Sequence, residues 1–298
     1  MINEPAHHSD DVAGSVRYID ALVDAVHATR SKAITFHNLS QDFAMAEPIA
    51  RSKVGGITFG WYPTGLNSGH ELRGNYLRTV DGYEPMRNPR VAKLPRIVYE
   101  FDSPDLRTGY MYPAMARTMR SAGAQFAAMF AYDMQATASR NLGWQTHYLS
   151  LAYTPRKAMS AVIAAEAMRR LPRGASYGAY PRNTTFGDFH VSSEENSAVL
   201  AAPDAYLNAG ATQIAAPSPA RLARVAGYQS SPVVSYGGEG AYFLDRVRRG
   251  IWRLEVFPDA VPVRDPFELQ RPDKIVTRAI SRAWPMRIAI PDLGESFT

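Results

Sequence analysis

The chain of 298 residues contains no cysteine. Disulfides, thiolate nucleophiles and thiolate-bound metals are therefore excluded as sources of stability or chemistry. Nowhere do about 20 apolar residues run consecutively, so no transmembrane helix is expected. No secretory leader is visible, but Met1 stands directly before the first motif of interest, and an upstream segment is expected to be missing. A leader in that segment would make the protein periplasmic or secreted. Charge of one sign is not concentrated either. The 33 basic and 28 acidic side chains give a formal +5 and are dispersed, which argues against a nucleic-acid partner. One small cluster, Arg246, Arg248, Arg249 and Arg253, reads as a solvated strand face. The chain has no G-x-S-x-G elbow, phosphate loop or dinucleotide fingerprint. His7-His8 and Asp10-Asp11 do not make a metal site, because adjacent side chains diverge, and no metal or cofactor is expected.

What is present is an alternation of strand-like and helix-like patterns over the first 172 residues. Val12, Val16, Ile19, Val23 and Val26 recur every three or four positions, which predicts an amphipathic helix over 10–30. Strands are predicted at 33–36, 55–62, 96–101 and 124–132. The unbroken apolar run of 96–101 is typical of a buried parallel strand. Shorter helical stretches fall at 42–52 and after Pro113, and the polar segment 64–88 is long enough to wall a cleft. Thr154-Pro155 reads as a cap with proline in the first helical turn, opening a helix that puts Met159, Val162, Ile163 and Ala167 inward and stops at Pro172.

Beyond residue 172 proline and glycine become frequent and alternation takes over. Trp252, Leu254 and Val256 share one face while Arg253 and Glu255 share the other. A helical stretch is predicted only at 220–226, and Gly237 to Gly240 between two strand-like runs predicts a hairpin. Residues 1–172 and 173–298 therefore read as an α/β unit followed by an all-β, sandwich-like domain.

Two short motifs carry the chemistry. Asn3-Glu4-Pro5 and Tyr99-Glu100-Phe101 each put a glutamate at the C-terminal end of an apolar run, where a parallel (β/α) barrel keeps its active site. With the strand ending Trp61-Tyr62 between them, this order resembles the second half of the barrel in the large clan of retaining glycoside hydrolases that includes cellulases, β-galactosidases and β-mannosidases. The resemblance implies that the strands found here are strands 4 to 8 of a TIM (β/α)8 barrel, with about three βα units lying upstream or on another chain.

It also implies a carbohydrate substrate and a pair of catalytic carboxyls roughly 5 Å apart. Glu4 would be the acid that protonates the leaving oxygen, and Glu100 the nucleophile that forms a glycosyl-enzyme. Asn3 would bond the sugar hydroxyl beside the anomeric carbon, and Tyr62 would orient Glu100. Trp61, Tyr132 and Trp144 offer apolar faces to sugar rings, while His37 and His147 are candidates for hydroxyl contacts. Asp102 and Asp105 read as turn residues. Two other readings stay open at this stage: a catalytically inactive fragment or carbohydrate-binding relative of the same fold, and a barrel lyase or isomerase with Glu100 as base. The sequence does not set the oligomeric state.

Overall fold

A computed structural model describes residues 10–39 and 43–293; Asn3 and Glu4 lie outside the described residues. The first part of the chain runs α1 (Val12–Ala28), β1 (Phe36–Asn38), α2 (Ala46–Arg51), β2 (Gly56–Trp61), β3 (Arg96–Phe101), α3 (Met111–Ser121), β4 (Phe126–Met129), α4 (Gln135–Ala138) and α5 (Pro155–Arg170). Strands β1 to β4 form a parallel sheet in sequential order. Each returns through a covering segment, the arrangement that parallel pairing requires. β2 is buried along its whole length, which explains its unalternated sequence.

Two expectations shift here. The first strand begins three residues later than 33–36, at Phe36, and α1 is capped by Asp11, whose side chain accepts from the Gly14 N–H at 2.8 Å. No closed barrel forms among the described residues: β1 and β4 stand at the two margins of the sheet.

The second part is β5 (Thr185–Phe186), β6 (Phe189–Ser192), β7 (Ser197–Ala201), β8 (Ala205–Ala209), β9 (Arg224–Tyr228), β10 (Val234–Tyr236), β11 (Ala241–Arg248), β12 (Ile251–Val256), β13 (Asp259–Pro262), β14 (Thr277–Ile280) and β15 (Met286–Ile288). Seven of these strands form one sheet in the order β12-β11-β9-β8-β7-β6-β5, antiparallel except between β8 and β9. One side of this sheet receives α5. On another, the β10–β15 pair packs over Tyr206, Val225 and Tyr242. The chain is thus mixed α/β, with a small parallel sheet and a large, mostly antiparallel one. A single hydrophobic core includes Phe101, Tyr112, Met159, Phe186 and Leu207, residues from both sides of position 172.

Two sequence expectations are corrected. Residues 220–226 are not a helix but a 3-10 turn, Pro219–Arg221, followed by β9. The apolar residues of β9 are buried on both faces, which mimics a helical period, and pairing with β8 and β11 decides the outcome. Nor do Gly237 to Gly240 close a hairpin, since β10 pairs with β15 and β11 with β9 and β12. Gly240 serves close approach instead: a Cβ there would sit 2.0 Å from the Phe257 carbonyl oxygen. Among the described residues no helix is long and apolar enough to cross a membrane.

Candidate active site

The C-terminal ends of β1 to β4 all open on one side of the parallel sheet, because the strands are parallel. Glu100 stands there on β3, an interior strand. In a regular strand Tyr99 and Glu100 would point to opposite faces. The pairing of β3 with both neighbours slips around these two residues, between Phe59 and Gly60 on one side and between Val98 and Phe101 on the other. This irregularity brings consecutive side chains together, as bulges do beside functional sites. The Tyr99 hydroxyl donates to Glu100 Oε1 at 2.7 Å. Asn38, at the end of β1, donates from Nδ2 to the Tyr99 oxygen at 3.2 Å and accepts from the Thr58 hydroxyl at 3.1 Å. Its amide is therefore fixed, and the phenol proton is left for Glu100.

Tyr62, directly after β2, stands beside the same carboxylate. Burial pushes its phenol far up, and the charge of Glu100 and a hydrogen bond to it add to the effect. The ring of Tyr62 lies against His147, with centroids 5.3 Å apart. His147 belongs to the long segment after β4, and its Nδ1–H donates to Asp102 Oδ2 at 2.8 Å. With Nδ1 committed, Nε2 is the ring nitrogen left for a ligand. Asp102 is fully buried and also meets Lys157 Nζ at 3.1 Å and the Tyr112 hydroxyl. Burial alone would raise its carboxyl, but Lys157, His147 and Tyr112 outweigh that and hold it below the ordinary value.

Asp102 is thus no plain turn residue: it anchors an imidazole. Asp105 does have the turn geometry expected of it, at φ +60°, with its carboxylate accepting from the Ser68 N–H.

The other candidates fall at graded distances from this cluster. His37 is buried in the middle of β1 with Nδ1 bonded to the Asn38 carbonyl oxygen at 2.8 Å. Trp144 is exposed and leans on Phe130, which in turn packs edge-on against His147 at 5.1 Å, so an aromatic wall runs out from the site. Tyr132 is exposed as well, and its oxygen accepts from the Leu151 N–H at 2.9 Å. Trp61 points the other way: it is buried and stacked on Tyr83 at 5.0 Å, so that face of its indole is taken.

The sequence assigns no site role to Tyr99, Asn38, Gly60, Asp102 or Lys157. Lys157 alone leaves a trace, a cation on the same helical stripe as Ser160, Ala164 and Ala167, all buried. Among the described residues no group of three or more His, Asp or Glu side chains is arranged to hold a metal ion. No family model, curated protein or solved structure matches the chain.

Proposed function

We propose that the protein is a retaining glycoside hydrolase acting on β-linked glycans, with Glu100 as nucleophile and Glu4 as acid and base. The observation that carries this reading is the setting of Glu100: a carboxylate at the C-terminal end of an interior parallel strand, flanked by the Tyr99 and Tyr62 hydroxyls, with the oriented imidazole of His147 against the Tyr62 ring. Phenolic donors aim the carboxylate oxygens without neutralising them, which suits attack on an anomeric carbon. His147 and the aromatic edge formed by Phe130 and Trp144 are suited to sugar hydroxyls and to the apolar face of a pyranose. The role of Glu4 rests on the Asn3-Glu4-Pro5 resemblance.

In that mechanism Glu100 displaces the leaving group to form a glycosyl-enzyme as the acid protonates the departing oxygen, and water then releases the sugar on the same face. The sequential order of β1 to β4 supports their assignment to half of a (β/α)8 barrel. So does the margin at β4, where Phe126 is exposed beside an apolar groove of about 450 Å³ between the sheet and α5, a surface suited to an adjoining βα unit.

The test uses aryl β-glycosides. Glu100→Gln is expected to abolish turnover while leaving the fold intact, and a 2-fluoro mechanism-based glycoside is expected to label Glu100 in the wild-type chain. Unchanged turnover in the variant, or labelling elsewhere, would eliminate Glu100 as nucleophile.

A further inference from the structure

Among the described residues β12 is a margin of the seven-stranded sheet, paired on one side, with β11. Its apolar side chains are not covered: Ile251 is 42%, Leu254 44% and Val256 46% exposed. A free edge of this kind is ordinarily blunted by like charges or proline. β12 carries the opposite device, Arg253 and Glu255 two positions apart on one face. We propose that β12 pairs antiparallel with β12 of a second copy, about a two-fold axis normal to the sheet that passes Leu254.

Symmetry narrows the registers. A two-fold axis normal to the sheet keeps each face on its own side, so only residues of the same face can stand opposite one another. Centring on Arg253 or on Glu255 sets that residue against its own copy, like charge against like. Centring on Leu254 sets Arg253 opposite Glu255 of the partner subunit, twice by symmetry, and on the other face Trp252 opposite Val256 of the partner subunit. Directly opposed side chains are the pairs that stabilise or oppose sheet formation. Of the registers centred on residues 253 to 255, the one about Leu254 alone sets opposite charges together, so this edge is complementary to itself there.

The contacts that must be exchanged are weak. Within the chain Arg253 lies 3.4 Å from Glu255 and 3.8 Å from Asp245, and its side chain is exposed, so these pairs are largely screened by water. Pro258, two residues beyond the strand, limits the pairing to β12 itself.

The full chain is examined by sedimentation equilibrium over a range of concentrations. The wild type is expected to approach twice the chain mass. Arg253→Glu and Glu255→Arg each oppose like charges in this register and are expected to sediment as single chains. An equimolar mixture of the two variants is expected to recover the double mass, because every opposed pair is then of opposite sign, and the recovery shows that both variants are folded. A wild type that stays at the single-chain mass, variants that both remain dimeric, or a mixture that stays monomeric overturns the proposal.

Discussion

Gly60 is where the candidate site is tightest. A Cβ at this position would stand 3.1 Å from Glu100 Oε1 and 3.4 Å from its Cγ, and the strand cannot easily retreat, because the Gly60 carbonyl accepts from the Tyr83 hydroxyl at 2.5 Å. Gly60→Ala is therefore expected to push the carboxylate aside by a few tenths of an ångström. On the proposed reaction that lowers kcat roughly 10- to 100-fold, since near-attack geometry is lost, while the melting temperature stays within a few degrees of wild type. Steady-state kinetics on an aryl glycoside and a thermal melt of the same preparation check both halves. An unaltered kcat would mean that the position of Glu100 is not tuned by its neighbour. Glycine at this point is explained by the site rather than by the strand, where it costs stability.

Elements meet closely where the loop after β3 touches the turn between β6 and β7 and the end of β8. The Gly109 N–H donates to Asn196 Oδ1 at 2.8 Å, and a Cβ on Gly109 would lie 2.0 Å from the Ala209 carbonyl oxygen and 2.6 Å from that of Asn196. Backbone on both sides would have to move. Gly109→Ala is expected to cost about 2–3 kcal/mol, the upper part of the overpacking range, read as a lower urea midpoint at an unchanged m-value. A loss under about 0.5 kcal/mol would show that the loop does not press on the large sheet. Helix α5 serves the same junction: small residues such as Ala158, Ala164 and Ala167 let it lie between α3 and the strands, and Arg170 reaches Asp204 with two hydrogen bonds of 2.9 and 3.0 Å.

For the whole molecule, two buried carboxyls pull stability in opposite directions with pH. Burial pushes Asp133 up to about 6 from its ordinary 3.8, despite the Leu149 N–H that donates to it at 2.9 Å. A group raised in the folded state favours folding while it is protonated; its contribution is complete below its unfolded value, near 4, and is lost as pH rises through 6. Asp102, held below its ordinary value, contributes above that value and loses its contribution as pH falls. Asp133→Asn keeps an acceptor for Leu149 and removes the charge. It is expected to exceed wild-type stability by on the order of 1–3 kcal/mol near pH 7–8 and to match it near pH 4. Melts of both proteins across that interval check the sign. A constant difference at every pH would mean that Asp133 does not titrate on unfolding.

The sequence by itself determined the parallel strands and their order of appearance, because a strand buried on both faces is apolar almost throughout, as in β2. It also placed Glu100 at a strand end and opened α5 at Thr154-Pro155, since proline restricts the backbone to the first helical turn, although the Thr154 side chain bonds the Ser150 backbone rather than capping α5. Only the tertiary structure decided what surrounds Glu100. Asp102 finds His147 and Lys157 from 45 and 55 positions away, and no period or spacing records such a meeting. It likewise turned 220–226 into a short turn and the start of the interior strand β9, and Gly240 into a point of contact, because neighbouring strands supply hydrogen bonds and close packing that outweigh a weak local preference.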